Sequence, residues 1–245
     1  MEQNYKMIIS YDGTRYHGWE HKKGLDTIQG KLNQVLSRLC NKDISVIGAG
    51  RTDAGVHAKA MVANAVLDIT LSEMELRDYM NRYLPEDIAV EEVRIASERF
   101  HARHKAVGKT YCYSCFYGPV KPIFRRKYVT MLEYEPDIEL MRQAAAYLVG
   151  KHDFASFCGN PKMKKSTVRE IYSITIEARK GFLYMRFRGS GFLQNMVRIM
   201  VGTLLEVGNG KRKPEEMQDI LEGKSRSLAG PTAPPQGLCL EEVEY

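Results

Sequence analysis

The residues best suited to chemistry lie in a glycine-rich segment that spans residues 48–58. It reads Gly-Ala-Gly-Arg-Thr-Asp-Ala-Gly-Val-His-Ala and falls between two predicted strands. Glycines interrupt regular secondary structure and let the backbone approach a ligand closely, so we predict a loop over a sheet. Asp53 is the carboxylate of this loop. Arg51 beside it favours the ionised form, which can act as a nucleophile or stabilise positive charge.

Other interpretations of this segment are weaker or stay open. Its glycine spacing, Gly-x-Gly-x-x-x-x-Gly, differs from the Gly-x-Gly-x-x-Gly of dinucleotide-binding loops, and a strand rather than a helix follows it. It also lacks the Gly-Lys-Ser/Thr sequence that ends a Walker P-loop. A glycine-rich turn in which Asp53 bonds only its own backbone is an alternative that the residues leave open.

Hydrophobic periodicity predicts the elements that position this loop. In the first half the predicted order is strand, helix, strand, strand, helix, strand, over residues 5–11, 27–40, 44–47, 60–69, 72–83 and 88–95. In the second half we predict strand 109–117, helix 137–149, strands 169–177 and 182–187, helix 192–207, a shorter helix at 214–221 and a closing strand at 238–243. Ser72 and Glu75 have the spacing of a capping box.

This order of elements favours an α+β fold made of two halves. Each half has the β-α-β-β-α-β order of a split-βαβ, ferredoxin-like unit, with helices on one face of an antiparallel sheet. We place the domains at residues 1–104 and 105–245, with the boundary in the basic segment 99–105. The other face of each sheet would stay partly open, and such a face is a common place for RNA to bind.

Composition and charge narrow the class of protein. The 245 residues are 44% hydrophobic and carry a net charge of +6, which suits a polyanionic partner such as nucleic acid. There is no apolar run of the ~20 residues that a membrane helix needs and no secretory signal, so we expect a cytoplasmic protein. Cys112 and Cys115 are three apart on a predicted strand, where their sulfur atoms point to opposite faces, so we expect no metal site.

Five segments, in order along the chain, resemble the TruA family of tRNA pseudouridine synthases. The run Gly-Arg-Thr-Asp-Ala-Gly-Val-His-Ala is similar to the family's signature loop. The other matching segments are residues 11–19, 100–103 with 109–113, 153–157, and 189–198 with Gly202. Glu20 is a departure, because family members commonly carry Gln at this position. The resemblance runs from about Tyr5 to the last residue and implies the pseudouridine synthase fold.

The resemblance implies a cofactor-free isomerisation of uridine to pseudouridine in the anticodon stem-loop of tRNA, by a homodimer. Asp53 would be the catalytic nucleophile, Arg198 would pair with it, and Arg51 would help to hold the place of the flipped nucleotide. Tyr111 would stack on the target base, and Leu238 would help to form the floor of the pocket. Whether Asp53 attacks C1′ or removes a 2′ proton stays open.

Arg198 also stands out on the residues alone. It lies in a segment, residues 192–205, that is apolar nearly all round, which predicts a buried helix. A buried guanidinium needs an anionic partner, for which Asp53 is a candidate, although an outward-pointing or carbonyl-capping side chain is the alternative. Tyr111 belongs to an aromatic stripe with Tyr113 and Tyr117. Such stripes are more often core than binding site, so its role depends on the resemblance.

Candidate phosphate-binding residues are basic and scattered along the chain: Arg15, Arg103, Lys105, Lys109 and the loops 121–127 and 162–165. Together they predict RNA binding that weakens steeply with salt. Two other functions are alternatives. A catalytically silent RNA-binding relative would be expected to have lost Asp53, which is present. A glycosidase or nucleotide-binding enzyme would need a second placed carboxylate or a phosphate loop, and the sequence shows neither convincingly.

Overall fold

The structure is a computed structural model that describes residues 1–160 and 162–245. Its first elements are β1 (Gln3–Tyr11), α1 (Ile28–Cys40), β2 (Ile47–Gly48), β3 (His57–Leu67), α2 (Glu73–Tyr83) and β4 (Ile88–Ala96). They are followed by β5 (Gly108–Phe116), β6 (Thr130–Met131), α3 (Ile138–Ala146), β7 (Gly150–Asp153), β8 (Val168–Arg179), β9 (Phe182–Gly189), α4 (Met196–Gly208), α5 (Glu216–Gly223) and β10 (Leu238–Glu244).

Residues 1–107 and 239–245 form one compact unit. Its sheet has the strand order β4-β1-β3-β10, and the short β2 pairs with β3. β1 is antiparallel to both β3 and β4, whereas β10 runs parallel to β3 with Cys239 opposite His57. Alternate residues of β1, Tyr5, Met7 and Ile9, are fully buried, as a strand with one face on a core requires.

Residues 108–238 form the second unit. Its sheet has the order β5-β9-β8-β7 with antiparallel pairs, and β6 adds a short parallel pairing to β5. The predicted turn between β8 and β9 is confirmed, because Lys180 and Gly181 both have positive φ, at 51° and 78°. The predicted apolar helix is also confirmed, since nearly every residue of α4 is buried.

The α+β class with antiparallel sheets is confirmed, and two details differ from the order of elements in the sequence. The expected second domain included everything after residue 104, but residues 239–245 belong to the first unit because β10 pairs with β3. The second unit also contains β7, which pairs with β8 through Gly150–Asp153. Its four residues, Gly-Lys-His-Asp, carry no hydrophobic alternation, so periodicity cannot predict it.

The strand predicted at residues 44–47 is shorter in the structure, where β2 covers Ile47 and Gly48. The residues before it are bound by side chains of α1 instead of a neighbouring strand. Ser37 Oγ accepts from the Ile44 N–H at 2.8 Å, and Asn33 Oδ1 accepts from the Val46 N–H at 2.9 Å. Backbone groups satisfied in this way have no need of a sheet partner.

The predicted helix 192–207 begins four residues later, at Met196. Asn195, which precedes it, has a left-handed backbone with φ of 57°, and this interrupts the helical path. The Gln194 carbonyl accepts a hydrogen bond from the Gly159 N–H at 2.8 Å. The segment 192–195 is therefore an ordered entry to α4 that helical periodicity alone does not reveal.

A segment without regular structure, residues 97–105, is bound to the first unit by a pair of buried asparagines. Asn4 Nδ2 donates to the carbonyls of Ser97 and Phe100, and Asn64 Oδ1 accepts from the Ala102 N–H at 2.9 Å. Asn64 Nδ2 also donates to Asn4 Oδ1 at 2.9 Å. Tyr245 adds a bond from its hydroxyl to the Ala102 carbonyl. These contacts cover part of the surface expected to be open and fix the backbone around Arg103.

Candidate active site

The glycine-rich loop between β2 and β3 is bound to the turn that follows β1. The Trp19 N–H donates to the Thr52 carbonyl at 3.0 Å, and the Gly55 N–H donates to the Tyr16 carbonyl at 3.3 Å. Within the loop, the Val56 N–H donates to the Asp53 carbonyl at 3.2 Å. Backbone bonds on both sides of Asp53 therefore fix the path of the chain there.

Thr52, the residue before Asp53, is held in place by a hydrogen bond between two buried hydroxyl groups. Thr52 Oγ1 and the Tyr11 hydroxyl lie 2.8 Å apart, and both residues are buried. The Tyr11 ring in turn lies beside the ring of Trp19, with centroids 6.1 Å apart. Asp53 itself is partly exposed. Its carboxylate is thus carried on a rigid support at the boundary between core and solvent, as a group that must meet a substrate requires.

Two glycines of the neighbouring turn permit this close approach. A Cβ atom on Gly18 would lie 2.7 Å from the Thr52 carbonyl oxygen, and Gly18 has a φ of 93° that side chains disfavour. A Cβ atom on Gly13 would lie 2.0 Å from the Val56 carbonyl oxygen. The turn and the loop are therefore packed backbone against backbone.

His57 supports the contact between the turn and the loop, a role that was not predicted from the sequence. It is buried at the start of β3, and its Nδ1 accepts a hydrogen bond from the Gly13 N–H at 3.0 Å. Asp12 Oδ1 lies 3.1 Å from the same nitrogen. One ring nitrogen cannot accept from Gly13 and donate to Asp12 at once, so the Gly13 bond belongs to an Nδ1 without a proton. His57 and Gly13 both lie in segments that resemble the TruA family, and this is the sequence feature that could have indicated their contact.

Arg51 lies in a cluster of three charged residues. Its guanidinium is 2.6 Å from Glu20 Oε1, and both side chains are about half exposed. Partial burial lowers the pKa of Arg103, the neighbouring Arg51 lowers it further, and Glu20 acts in the opposite direction. Two guanidiniums and one carboxylate of the first unit therefore interact electrostatically. One of the guanidiniums, that of Arg51, belongs to the residue two positions before Asp53 in the sequence.

The second unit contains the other three residues assigned to the site. Tyr111, on β5, is 7% exposed and packs edge-on against Phe192, with ring centroids 5.2 Å apart. Arg198, on α4, is partly exposed and donates from Nε to the Ala233 carbonyl at 2.7 Å and from a terminal nitrogen to Asn195 Oδ1 at 3.2 Å. Arg198 therefore binds a backbone carbonyl, as the alternative interpretation of this residue expects.

Leu238, the last of these residues, is 5% exposed at the start of β10. The preceding Gly237 lies against the Tyr113 ring, where an added Cβ atom would be 2.7 Å from the ring. The Tyr113 hydroxyl donates to the Pro234 carbonyl at 2.8 Å. This packing places Leu238 at the end of a tightly held segment, residues 234–238.

The candidate phosphate-binding residues differ in availability. Arg15 is the most constrained, because its Nε and a terminal nitrogen both lie 2.7 Å from Asp87 Oδ2, so a phosphate would have to compete with that carboxylate. Arg103 and Lys105 are exposed on the segment held by the asparagine pair. Lys109 is half-buried in β5.

The part of the chain that the structure describes, residues 1–160 and 162–245, bears on metal binding and membrane spanning. In that range no group of three or more His, Cys, Asp or Glu side chains is placed to hold a metal ion. Cys112 and Cys115 are buried in β5, where burial raises the pKa of the Cys115 thiol and disfavours a thiolate ligand. None of the helices in this part of the chain combines the length and apolar character that crossing a bilayer requires.

Comparison with known proteins identifies the family. The family model described as tRNA pseudouridine synthase matches residues 7–105 and 144–245. This chain belongs to the tRNA pseudouridine synthase family. A tRNA pseudouridine synthase A from Bacillus sp. (strain KSM-64) is 47% identical over 243 residues, covering 99% of each chain. One from Syntrophotalea carbinolica is 45% identical over 240 residues, covering 98% of this chain and 95% of that protein.

A solved chain from a Cbf5-Nop10-Gar1 complex is similar over 86% of this chain and 44% of its own length, with a TM-score of 0.37 and 12% identity. Membership of the tRNA pseudouridine synthase family therefore depends on the sequence matches, which extend over nearly the whole chain. Because pseudouridine is an isomer of uridine, the protein is an isomerase, and its substrate is tRNA.

The Glu20–Arg51 pair leads to a prediction about tRNA binding by this synthase. Glu20→Gln removes a carboxylate that repels RNA phosphates and frees the Arg51 guanidinium. Because an exposed ion pair is worth about 0.2–1 kcal/mol, we expect tRNA affinity to rise by up to about fivefold at low salt. The slope of log affinity against log salt should also become steeper, by up to ~0.9. Filter binding from low to high salt measures both.

Glu92→Gln is a charge-matched control for this experiment. It also breaks an exposed pair of 2.6 Å, that between Glu92 and Arg94, and it raises the net charge by the same amount. An equal rise in affinity for both variants would show a general charge effect and would refute a particular role for Glu20.

Proposed function

We propose that this protein converts uridine to pseudouridine in the anticodon stem-loop of tRNA, with Asp53 as the nucleophile and without a cofactor. The observation that carries the proposal is the placement of Asp53 on a loop that backbone bonds and a buried Tyr11–Thr52 pair hold rigid at the protein surface. The coarser activity, tRNA pseudouridine synthesis, follows from the family. The position in the tRNA and the roles of the residues are our proposal.

The reaction rearranges bonds within one nucleotide. The N1–C1′ bond of uridine breaks, the uracil turns while it stays bound, and C5 bonds to C1′. C5 then loses its proton, and N1 gains one, so atoms and electrons balance without an oxidant or reductant. A carboxylate suits this chemistry because the sugar gains positive character as the base leaves, as in glycoside hydrolysis.

Water must be kept from the reacting sugar, because it would convert the rearrangement into hydrolysis. We propose that Tyr111 stacks on the uracil ring and that Leu238 covers the base from another side. Both side chains are at least nine-tenths buried, so each would contribute apolar surface to a dry site. Arg198 would hold the Asp53 carboxylate in its ionised form, and Arg51 would fill the space that the flipped nucleotide leaves.

Flipping a base out of a stem costs a few kcal/mol, and stacking on an aromatic ring returns about 1–3 kcal/mol. These contributions nearly cancel. Phosphate contacts must therefore provide most of the affinity, and we assign them to Arg15, Arg103, Lys105 and Lys109. Of these, Arg103 and Lys105 are exposed on a backbone that Asn4 and Asn64 hold in place.

We further propose that the protein acts as a homodimer in the cytoplasm, as the resemblance to the TruA family implies. Sedimentation velocity at micromolar concentration tests the homodimer, and a monomer that still modifies tRNA would overturn it.

The function is tested by mixing purified protein with tRNA transcripts in buffer alone and mapping pseudouridine by chemical labelling and primer extension. We expect product in the anticodon arm and its loss when the uridines of that arm are replaced by cytidine. Product elsewhere in the tRNA would overturn the proposed position. Binding without product would favour the alternative function, a catalytically silent RNA-binding relative.

The same assay tests Tyr111. Tyr111→Ala removes the stacking surface, so we expect the rate to fall by about 5- to 150-fold, as the loss of ~1–3 kcal/mol predicts. Tyr111→Phe keeps the ring and should retain most of the activity. A Phe variant as impaired as the Ala variant would assign the role to the hydroxyl and refute stacking as the main contribution. Thermal unfolding of each variant checks the fold, since Tyr111 is nearly buried.

A further inference from the structure

A surface loop of the second unit, residues 118–128, contains the basic stretch 121–127 that was named above as a candidate phosphate contact and that the proposed function leaves without a role. This loop, which we call the basic arm, joins β5 to β6 and reads Gly-Pro-Val-Lys-Pro-Ile-Phe-Arg-Arg-Lys-Tyr. It contains four cations, Lys121, Arg125, Arg126 and Lys127, and no acidic residue. All four are exposed. The basic arm is therefore a compact surface of charge +4.

The basic arm also exposes apolar side chains to water. Phe124 is 97% exposed, Val120 is 78% exposed and Ile123 is 55% exposed. Single exposed apolar residues are ordinary, but three within five positions form a patch, and patches mark interaction sites. A phenylalanine this exposed makes almost no contact with its own chain, so packing within the fold does not account for it.

The arm is ordered rather than a loose tether. A single 3₁₀ turn, Ile123–Arg125, holds its tip, with the Arg125 N–H donating to the Pro122 carbonyl at 2.8 Å. The Tyr128 N–H closes the turn on the Arg125 carbonyl at 2.8 Å, and Arg126 donates to the Ile123 carbonyl at 2.8 Å. These bonds present Phe124 outward in a fixed position, which reduces the entropy lost when a partner binds.

The base of the arm is fastened to β9. Arg125 donates to the Tyr184 hydroxyl at 3.2 Å, and its guanidinium lies 5.0 Å from the centre of the Phe182 ring. The rings of Phe182 and Tyr184 are nearly parallel, at 12°. Arg125 and one terminal nitrogen of Arg126 are thus used to hold the arm, which leaves Lys121, Lys127 and the remaining N–H groups of Arg126 to meet a partner.

We propose that the basic arm is an RNA-contacting surface, in which Phe124 stacks on an accessible nucleobase and the three cations contact phosphates. Cations interleaved with an exposed aromatic ring are the combination that single-stranded and loop regions of RNA recognise. A second copy of this chain fits less well, because a two-fold contact between arms would bring eight positive charges together. The proposal rests on the proposed function for its substrate, tRNA, and it extends the contact beyond the unit that carries Asp53.

The test measures tRNA binding by catalytically inactive protein, in which Asp53→Asn separates binding from turnover. Phe124→Ala should weaken binding by about 5- to 150-fold while leaving the salt dependence unchanged, since stacking is not ionic. Phe124→Trp should restore binding. Lys127→Ala, at an exposed position of the arm, should instead make the salt slope shallower by ~0.7–0.9. Met74→Ala, at a position 64% exposed on α2, is the control for loss of an exposed apolar side chain.

An unchanged affinity for Phe124→Ala would overturn the proposal. So would a shift of Phe124→Ala to a smaller species in sedimentation without tRNA, because the arm would then be an interface between copies. Phe124 makes almost no internal contact, so the variant should fold, which circular dichroism would check. If wild-type protein forms no pseudouridine but the Phe124 and Lys127 effects hold, the RNA surface stands and the proposed activity fails.

Discussion

Asp53→Asn should leave no measurable pseudouridine while tRNA binding stays within about twofold of wild type. The amide keeps the shape of the carboxylate but cannot attack C1′ or remove a proton. Removing the nucleophile of an enzyme costs roughly 10⁴-fold or more in rate, so a single-turnover assay with excess protein is the measurement to use. Either proposed role of Asp53, attack on C1′ or removal of a 2′ proton, predicts this loss.

Asp26→Asn is the matched control, because Asp26 is an exposed aspartate of the same unit whose side chain pairs with Lys31 on α1. It should keep full activity. Activity of Asp53→Asn within tenfold of wild type would remove Asp53 from the mechanism. Loss of tRNA binding together with activity would show instead that Asp53 holds the substrate or the loop.

Gly18→Ala is expected to cause the second-largest loss. The added Cβ atom would lie 2.7 Å from the Thr52 carbonyl oxygen and 3.2 Å from the Asp53 carbonyl carbon, so the loop that carries Asp53 must move. A displacement of about 1 Å at a reacting group can cost on the order of 100-fold in rate. We expect a loss of that size in single-turnover rate, with tRNA affinity changed much less.

Gly24→Ala separates this contact from backbone strain. Gly24 also has a positive φ, 79° against 93° for Gly18, but a Cβ atom there meets nothing within 4 Å. Both variants should therefore lose about 1 kcal/mol of unfolding free energy from the left-handed backbone. Chemical denaturation measures this shared cost. Equal activities for the two variants would show that Gly18 does not position the loop.

Much of the fold and the central loop could be predicted from local patterns. Helix α1 begins after Thr27, whose side chain accepts from the Gly30 N–H, and α2 carries the predicted capping box of Ser72 and Glu75. These features depend on residues within a few positions of one another. The sequence singles out Asp53 as a candidate for the same reason, since the glycines, the arginine and the aspartate that distinguish the loop lie within eight residues.

The support of the loop could not be predicted, because it joins residues far apart in the chain. The Thr52 carbonyl meets the Trp19 N–H, Asp87 binds Arg15, and His57 meets Gly13. The two partners of each pair are far apart in the chain, so no hydrophobic period or residue spacing predicts that they are in contact. The start of α4 at Met196, four residues after the predicted start, could not be predicted for a different reason. Left-handed φ at Asn195 is a single-residue choice that hydrophobic pattern does not encode.

The pairing of β10 with β3 has a consequence for how the chain is made. Residues 239 and 240 lie beside His57 and Ala58, where the glycine-rich loop enters β3, and the Val107 N–H donates to the Glu244 carbonyl. A nascent chain emerging from the ribosome therefore exposes an unpaired strand edge at this point until β10 has been translated. The high contact order of that last pairing should make it slow to form. A fragment ending at residue 107 would lack it and should aggregate rather than fold.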